Sequence, residues 1–222
     1  PAEYNGLKLC LSGARPIGKE SGLLTIEKFV REGVPVSLRP VGVESHKEML
    51  QEYVEHLLTL VDVSGIRKLN IVVDAGNGMA GHTAPAVFSR MNVATTEMYY
   101  ELDGTFPNHE ANPIDEANLA DLKVMVKKKG ADIGLAFDGD ADRCFLVDEK
   151  GNAVNPSLLT ALIADRELKK KPGSTIIYNL ISSRAVKEVV EENGGKPLRS
   201  RVGHSFIKAM MAESGAIFGG EH

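Results

Sequence analysis

The run Asp138-Gly139-Asp140-Ala141-Asp142-Arg143 sets three carboxylates at alternate positions with only Gly and Ala between them. In an exposed strand such side chains would all point one way and repel one another. In a tight loop, the small spacers let the chain curl so that the three oxygens converge on one hard cation. Mg²⁺ suits that donor set, because it prefers oxygen ligands and leaves positions open for a phosphate oxygen. Arg143 adds a planar fork matched to phosphate. A solvated acidic turn is the plainer alternative, but the run follows a buried strand, and open α/β sheets bind ligands at strand ends. Counted as a calcium loop from Asp138, Glu149 falls at position twelve, yet position six is Arg143 where an EF-hand needs Gly. Strands rather than helices also flank it, so the EF-hand is excluded.

A second stretch, Val73-Asp74-Ala75-Gly76-Asn77-Gly78-Met79-Ala80-Gly81, contains G-x-G-x-x-G after a strand and before a helix. That context fits a dinucleotide fingerprint, and Glu97 and Glu101 lie about far enough downstream for a ribose contact. The plainer reading is a tight turn that needs positive φ angles, with Asn77 assisting. Ser182 and Ser183 sit at another strand-to-helix turn, where a Ser reads as a helix cap before it reads as a nucleophile.

The elements that must carry these residues are legible from periodicity. Alternation predicts a strand over 7–11, and a short apolar run covers 23–30. Met49, Leu50, Tyr53, Val54, Leu57, Leu58 and Val61 recur at helical spacing and make one apolar stripe. Strands are expected over 69–73, 93–99, 133–137, 144–147, 174–179 and 197–201. Helices are expected from the Gly-rich turn to about Arg90, around Leu119, Leu122 and Val126 up to Gly130, and over 157–168, 183–192 and 204–213. Strands alternating with helices of this length imply βαβ units and a parallel or mixed sheet covered on both faces. Polar, turn-prone joints near Glu44 and at Gly151-Asn152 divide the chain into 1–45, 46–151 and 152–222.

Composition excludes several classes. The 222 residues are 43% hydrophobic and 25% charged, which is the balance of an ordinary cytoplasmic α/β protein. Twenty-six basic residues against 30 acidic give a formal net charge of −4, so no basic face for nucleic acid is implied. No apolar run approaches the roughly 20 residues of a membrane span. Cys10 and Cys144, each inside an apolar run, read as reduced, strand-borne packing residues rather than a disulfide or zinc site.

Taken in order, Tyr4-Asn5-Gly6-Leu7-Lys8, the Val73 to Gly78 turn, Phe106-Pro107-Asn108-His109-Glu110-Ala111-Asn112-Pro113, the Asp138 to Arg143 loop, Val202-Gly203-His204-Ser205 and Gly219-Gly220-Glu221-His222 resemble segments of the α-D-phosphohexomutase family. The likeness is to its phosphomannomutase/phosphoglucomutase branch and runs end to end. It implies an α/β fold of tandem three-layer α/β/α domains with mixed sheets. Residues 1–45 then belong to a phosphoserine domain, 46–151 to a metal-binding domain and 152–222 to a sugar-binding domain. The implied activity interconverts hexose 1-phosphate and hexose 6-phosphate, of mannose or glucose, through a phosphoserine enzyme and a 1,6-bisphosphate that also serves as primer. The resemblance assigns Mg²⁺ to Asp138, Asp140 and Asp142, catalysis to Lys8 and Arg143, and substrate binding to His204 and Glu221. The expected partner is a small sugar phosphate, without nucleic acid or membrane. Set against the family's segments, the chain is expected to be an internal fragment, beginning at the Pro of a Ser-His-Asn-Pro phosphoserine segment and inactive alone. One position departs: Ile181 stands where several members carry a phosphate-binding Lys. A phosphoglucosamine mutase is the near alternative, and a dinucleotide-binding oxidoreductase the distant one.

Overall fold

The computed structural model describes residues 7, 9–34, 36 and 42–221. Lys8, the Tyr4-Asn5-Gly6 turn and His222 lie outside the described residues. A short antiparallel hairpin, β1 (Cys10–Leu11) with β2 (Arg15–Pro16), precedes helix α1 (Leu24–Glu32), which buries none of its side chains. The apolar run over 23–30 is thus largely helical. Helix α2 (Leu50–Leu60) follows and packs on a later helix, but Val54 is its single buried residue. Of the expected stripe, Leu57 and Leu58 are half-covered, while Met49, Tyr53 and Val61 remain exposed.

The next stretch comprises β3 (Leu69–Asp74), α3 (Ala80–Phe88), β4 (Val93–Met98), α4 (Ala120–Lys129), β5 (Ile133–Phe137) and β6 (Cys144–Asp148). Its strands run in the order β4-β3-β5-β6, parallel except for β6, which pairs with β5 antiparallel. The unbroken apolar Ile71-Val72-Val73 of β3 is what a central strand needs when both faces are covered, and all three are buried. On one face Leu122 and Val126 of α4 lock against Val72, Ala136 and Val147. A Cβ at Gly134 would come within 2.9 Å of Leu122, so glycine lets that helix lie close on β5. The Lys127-Lys128-Lys129-Gly130 stop works as expected: Gly130 takes φ 56°, a left-handed C-cap.

The remaining elements are α5 (Pro156–Lys170), β7 (Thr175–Asn179), α6 (Arg184–Glu192), β8 (Lys196–Ser200), α7 (His204–Ser214) and β9 (Phe218–Gly220). They build a parallel sheet in the order β8-β7-β9. Side chains alternate across β7. Ile176 packs with Ala164, Leu168 and Val190 on the α5/α6 side, whereas Ile177 meets Ile207 of α7 on the other. Two helix starts follow local chemistry: Asn155 caps α5 ahead of Pro156, and the Ser183 hydroxyl accepts from Ala185 N at 3.2 Å to cap α6. Strand β9 escapes sequence reading because Phe-Gly-Gly carries almost no strand propensity. It exists because β7 offers a free edge to pair with. The cysteine expectation needs correction: both lie in strands and form no disulfide, but both are exposed rather than packed. Among the described residues, no helix is long and apolar enough to cross a membrane.

Candidate active site

The acidic loop leaves the sheet at the end of β5 and re-enters as β6, so it is a β-turn region tied at both ends by antiparallel pairing. Ala141 takes φ 59°, and its N–H donates to the Asp138 carbonyl at 3.0 Å, which curls the loop tightly. Carboxylate oxygens of Asp138, Asp140 and Asp142 all lie within 4.8 Å of one another. An octahedral Mg²⁺ at about 2.1 Å from each ligand puts adjacent oxygens about 3 Å apart and opposite ones about 4.2 Å apart. Three hard oxygens at this spacing, two of them on exposed side chains, fit such an ion with small side-chain adjustments.

Asp138 is the buried member, 1% exposed, at the base of the loop. Its Oδ2 accepts from Arg143 Nε at 2.7 Å and Nη2 at 2.6 Å, and its Oδ1 from the Arg143 backbone N–H at 3.0 Å. Burial pushes the Asp138 carboxyl up from its ordinary value; the Arg143 bonds pull it back, and the Asp140 charge adds to the rise. Arg143, read from sequence as a phosphate fork, therefore also clasps the buried Asp138 carboxylate, while its half-exposed outer edge lines a cleft.

That cleft, about 890 Å³, lies between the two larger sheets. Asp140, Asp142 and Arg143 form one wall; His204, Lys208 and Glu221 form the other. His204 opens α7 after Gly203, whose φ of 121° is a conformation reserved for glycine. The Gly203 N–H donates to Glu221 Oε1 at 2.7 Å, and the Glu221 carbonyl accepts from Thr160 Oγ1 at 3.3 Å. Glu221 is thus held against the start of α7, where the helix dipole favours a negative charge. A Cβ at Gly220 would lie 2.3 Å from Thr160 Cγ2, and one at Gly219 would lie 2.4 Å from Ile207 Cγ2. The paired glycines let β9 slip beneath both helices and deliver Glu221. Of the residues singled out from sequence, the loop carboxylates, Arg143, His204 and Glu221 converge here. Lys208 was missed, although it follows His204 by one helical turn, the spacing that puts two side chains on one face. Ile181 lines the same cleft beside Ile114 and Phe145, an apolar stretch of wall.

The dinucleotide alternative fails on space. A Cβ at Gly78 would sit 2.7 Å from the Gly139 carbonyl oxygen, and one at Gly81 would sit 2.1 Å from that of Tyr100. Met79 N–H already donates to Gly139 O at 3.0 Å. The close backbone approach that these glycines permit is to the protein's own loops, and a pyrophosphate has no room there.

The model of the family described as Phosphoglucomutase/phosphomannomutase, alpha/beta/alpha domain II, matches residues 51–151, and the one for its domain III matches 155–222. The chain belongs to the phosphoglucomutase/phosphomannomutase family. A Salmonella montevideo phosphomannomutase is 38% identical to it, over all of this chain and 50% of that protein. Xanthomonas campestris phosphohexose mutases are 37% identical, again over the whole chain and 49% of theirs. The crystal structure of a family member from Burkholderia thailandensis superposes with a TM-score of 0.82 at 34% identity, covering 92% of this chain and 43% of that one. The chain spans about half the length of the curated relatives it matches.

Proposed function

We propose that this chain carries the metal-binding and sugar-facing walls of a hexose-phosphate mutase active site, acting on mannose and/or glucose phosphates. The observation that carries this reading is the facing of the Asp138–Arg143 loop by His204, Lys208 and Glu221 across one cleft. A sugar phosphate has two chemically distinct ends, and the walls match them: cationic and metal-binding on one side, hydrogen-bonding on the other.

In the first transfer a hydroxyl oxygen of the hexose monophosphate bonds to phosphorus as the P–O bond to a donor phosphoserine breaks. The hydroxyl proton passes to a base, for which Lys8 is the candidate by its family likeness. The serine oxygen takes up a proton as it leaves. The resulting 1,6-bisphosphate reorients; the serine hydroxyl bonds to its other phosphorus and gives its proton to the base, while the sugar oxygen on that phosphorus leaves and takes a proton in return. Such transfers need positioning and charge neutralisation more than covalent help. Mg²⁺, held by Asp138, Asp140 and Asp142, supplies that neutralisation when bound. Arg143 adds a fixed cation at the same wall. Glu221, an acceptor-only group, orients adjacent sugar hydroxyls, and His204 and Lys208 contact hydroxyl or phosphate oxygens. Because this chain spans only about half the length of its curated relatives, the 222-residue chain is expected to show no turnover alone. The setting is cytoplasmic, on free sugar phosphates.

The test is to assay the longer polypeptide with Mg²⁺ and a hexose 1,6-bisphosphate primer on mannose, glucose and glucosamine 1-phosphates side by side. Conversion of mannose or glucose 1-phosphate supports the reading. Conversion of glucosamine 1-phosphate alone assigns the chain to a phosphoglucosamine mutase, and no turnover from folded, phosphorylated protein overturns the mutase reading.

A further inference from the structure

Behind the acidic loop lies a polar cluster to which the proposed chemistry assigns no task. Asp74, 1% exposed at the end of β3, accepts from the Gly76 N–H at 2.9 Å and meets His109 Nε2 at 3.0 Å. His109 Nδ1 meets the Glu110 carbonyl at 2.9 Å. Both partners are acceptors, so each ring nitrogen carries a hydrogen and the imidazole is the charged form. Tyr99 packs edge-on against this ring, with centroids 5.4 Å apart. The histidine is thereby fixed from three sides, and a buried carboxylate without that partner would be costly.

The segment pinned by His109 reaches the loop directly. Asn108 Nδ2 donates to Asn77 Oδ1 at 2.7 Å, which ties the segment to the Gly-rich turn. Phe106 holds φ 51°, uncommon for an aromatic residue. A Cβ at Gly139 would stand 3.6 Å from Phe106 Cζ and 3.8 Å from Ala111 Cβ. Gly139 sits between two of the carboxylates, and its carbonyl is gripped on the other side by the Met79 N–H. One residue of the acidic loop is therefore held between the Gly-rich turn and the 106–111 segment, and Asp74 with His109 joins those two jaws.

We propose that His109 is a positioning residue for the acidic loop: through Asp74 it closes the 106–111 segment onto Gly139 and so presets the spacing of Asp138, Asp140 and Asp142 for a divalent cation. The proposal rests on the metal-site reading above. His109 touches neither substrate nor cation in this scheme; its effect is to spare the loop the ordering that binding would otherwise have to impose.

The test is Mn²⁺ binding to the full 222-residue chain, read as free Mn²⁺ by electron paramagnetic resonance, with thermal unfolding recorded on the same samples. His109→Ala is expected to weaken Mn²⁺ about tenfold, and Asn108→Ala, a milder release of the same segment, about threefold. His109→Gln, which keeps one donor for Asp74, should recover part of the affinity. Asp132→Asn, which removes the Arg67 ion pair and weakens the Asn70 N–H bond at the opposite end of β5 from the loop, should lower the unfolding temperature without moving Mn²⁺ affinity. If His109→Ala does not fold, Asn108→Ala and His109→Gln decide the matter. Wild-type affinity in folded Asn108→Ala and His109→Gln overturns the positioning role and leaves the metal site standing. A wild-type chain that binds no Mn²⁺ overturns the metal site itself, and the proposal with it.

Discussion

The two walls of the cleft are built by opposite strategies. On the acidic side, all three clustered carboxylates and Arg143 come from one short loop of consecutive residues, Asp138 to Arg143, and the Gly-rich turn and the 106–111 segment, joined to each other through Asp74, His109, Asn77 and Asn108, pack on its Gly139. On the opposite wall no single segment carries the polar groups. His204 and Lys208 come from the first turns of α7, and Glu221 follows β9, where Gly203 and Thr160 both bond to it. Local sequence can specify a loop that chelates, because a small ion asks for oxygens a few ångström apart. A ligand the size of the proposed sugar phosphate spans a larger distance, so contacts to it come from elements that only a sheet brings side by side.

Four measurements test that contrast. The largest effect is expected from Asp140→Asn, which should abolish Mg²⁺-dependent transfer in the longer polypeptide and Mn²⁺ binding in this chain, with thermal unfolding unchanged. Retained activity would show that the acidic wall does not work through a chelating loop. Next, Gly81→Ala tests whether the Gly-rich turn serves close backbone packing: its Cβ would meet Tyr100 O at 2.1 Å. Urea denaturation should show a loss of about 3 kcal/mol, and a neutral result would reopen the turn to another use.

The third measurement is the pH dependence of stability. The Asp74 hydrogen bond raises the His109 pKa to about 9 against the opposing effect of burial, with the Glu110 carbonyl helping. Because the folded value lies above the unfolded one of about 6.5, the stabilisation is complete below that pH and is lost as pH climbs through 9. Wild-type unfolding free energy should exceed that of His109→Gln by about 2 kcal/mol near pH 6, and the two should converge by pH 10. Parallel curves would mean that the acidic wall's support is not ionic. The smallest effect is expected on the sugar wall, where Lys208→Ala should raise KM for the sugar phosphate about tenfold, roughly 1.4 kcal/mol, with kcat little changed and Lys208→Arg near wild type. An unchanged KM would remove Lys208 from the set of substrate contacts.

Much of the fold was legible because its signals are local. The apolar run of β3, the Lys-Gly stop of α4 and the Ser183 cap each act within a few residues. What escaped depended on neighbours. Strand β9 has no propensity of its own and is made by β7. The stripe on α2 is real, yet only part of it is covered, since a period records which residues share a face and not what meets that face. The G-x-G-x-x-G pattern was ambiguous for the same reason: glycine permits close approach, and the partner that approaches, here Gly139 and Tyr100, is set elsewhere in the chain.

By itself, then, the sequence determined the clustered acidic loop, the α/β alternation and the family likeness, all of which reside in contiguous residues and their spacing. The tertiary structure alone decided that Glu221 is held at the start of α7, that Lys208 faces the acidic wall, and that His109 pairs with Asp74 behind it. The division has a physical cause: chelation and capping are short-range and fit within a turn, whereas pairing a buried charge and closing a cleft need groups that the chain separates and only packing reunites.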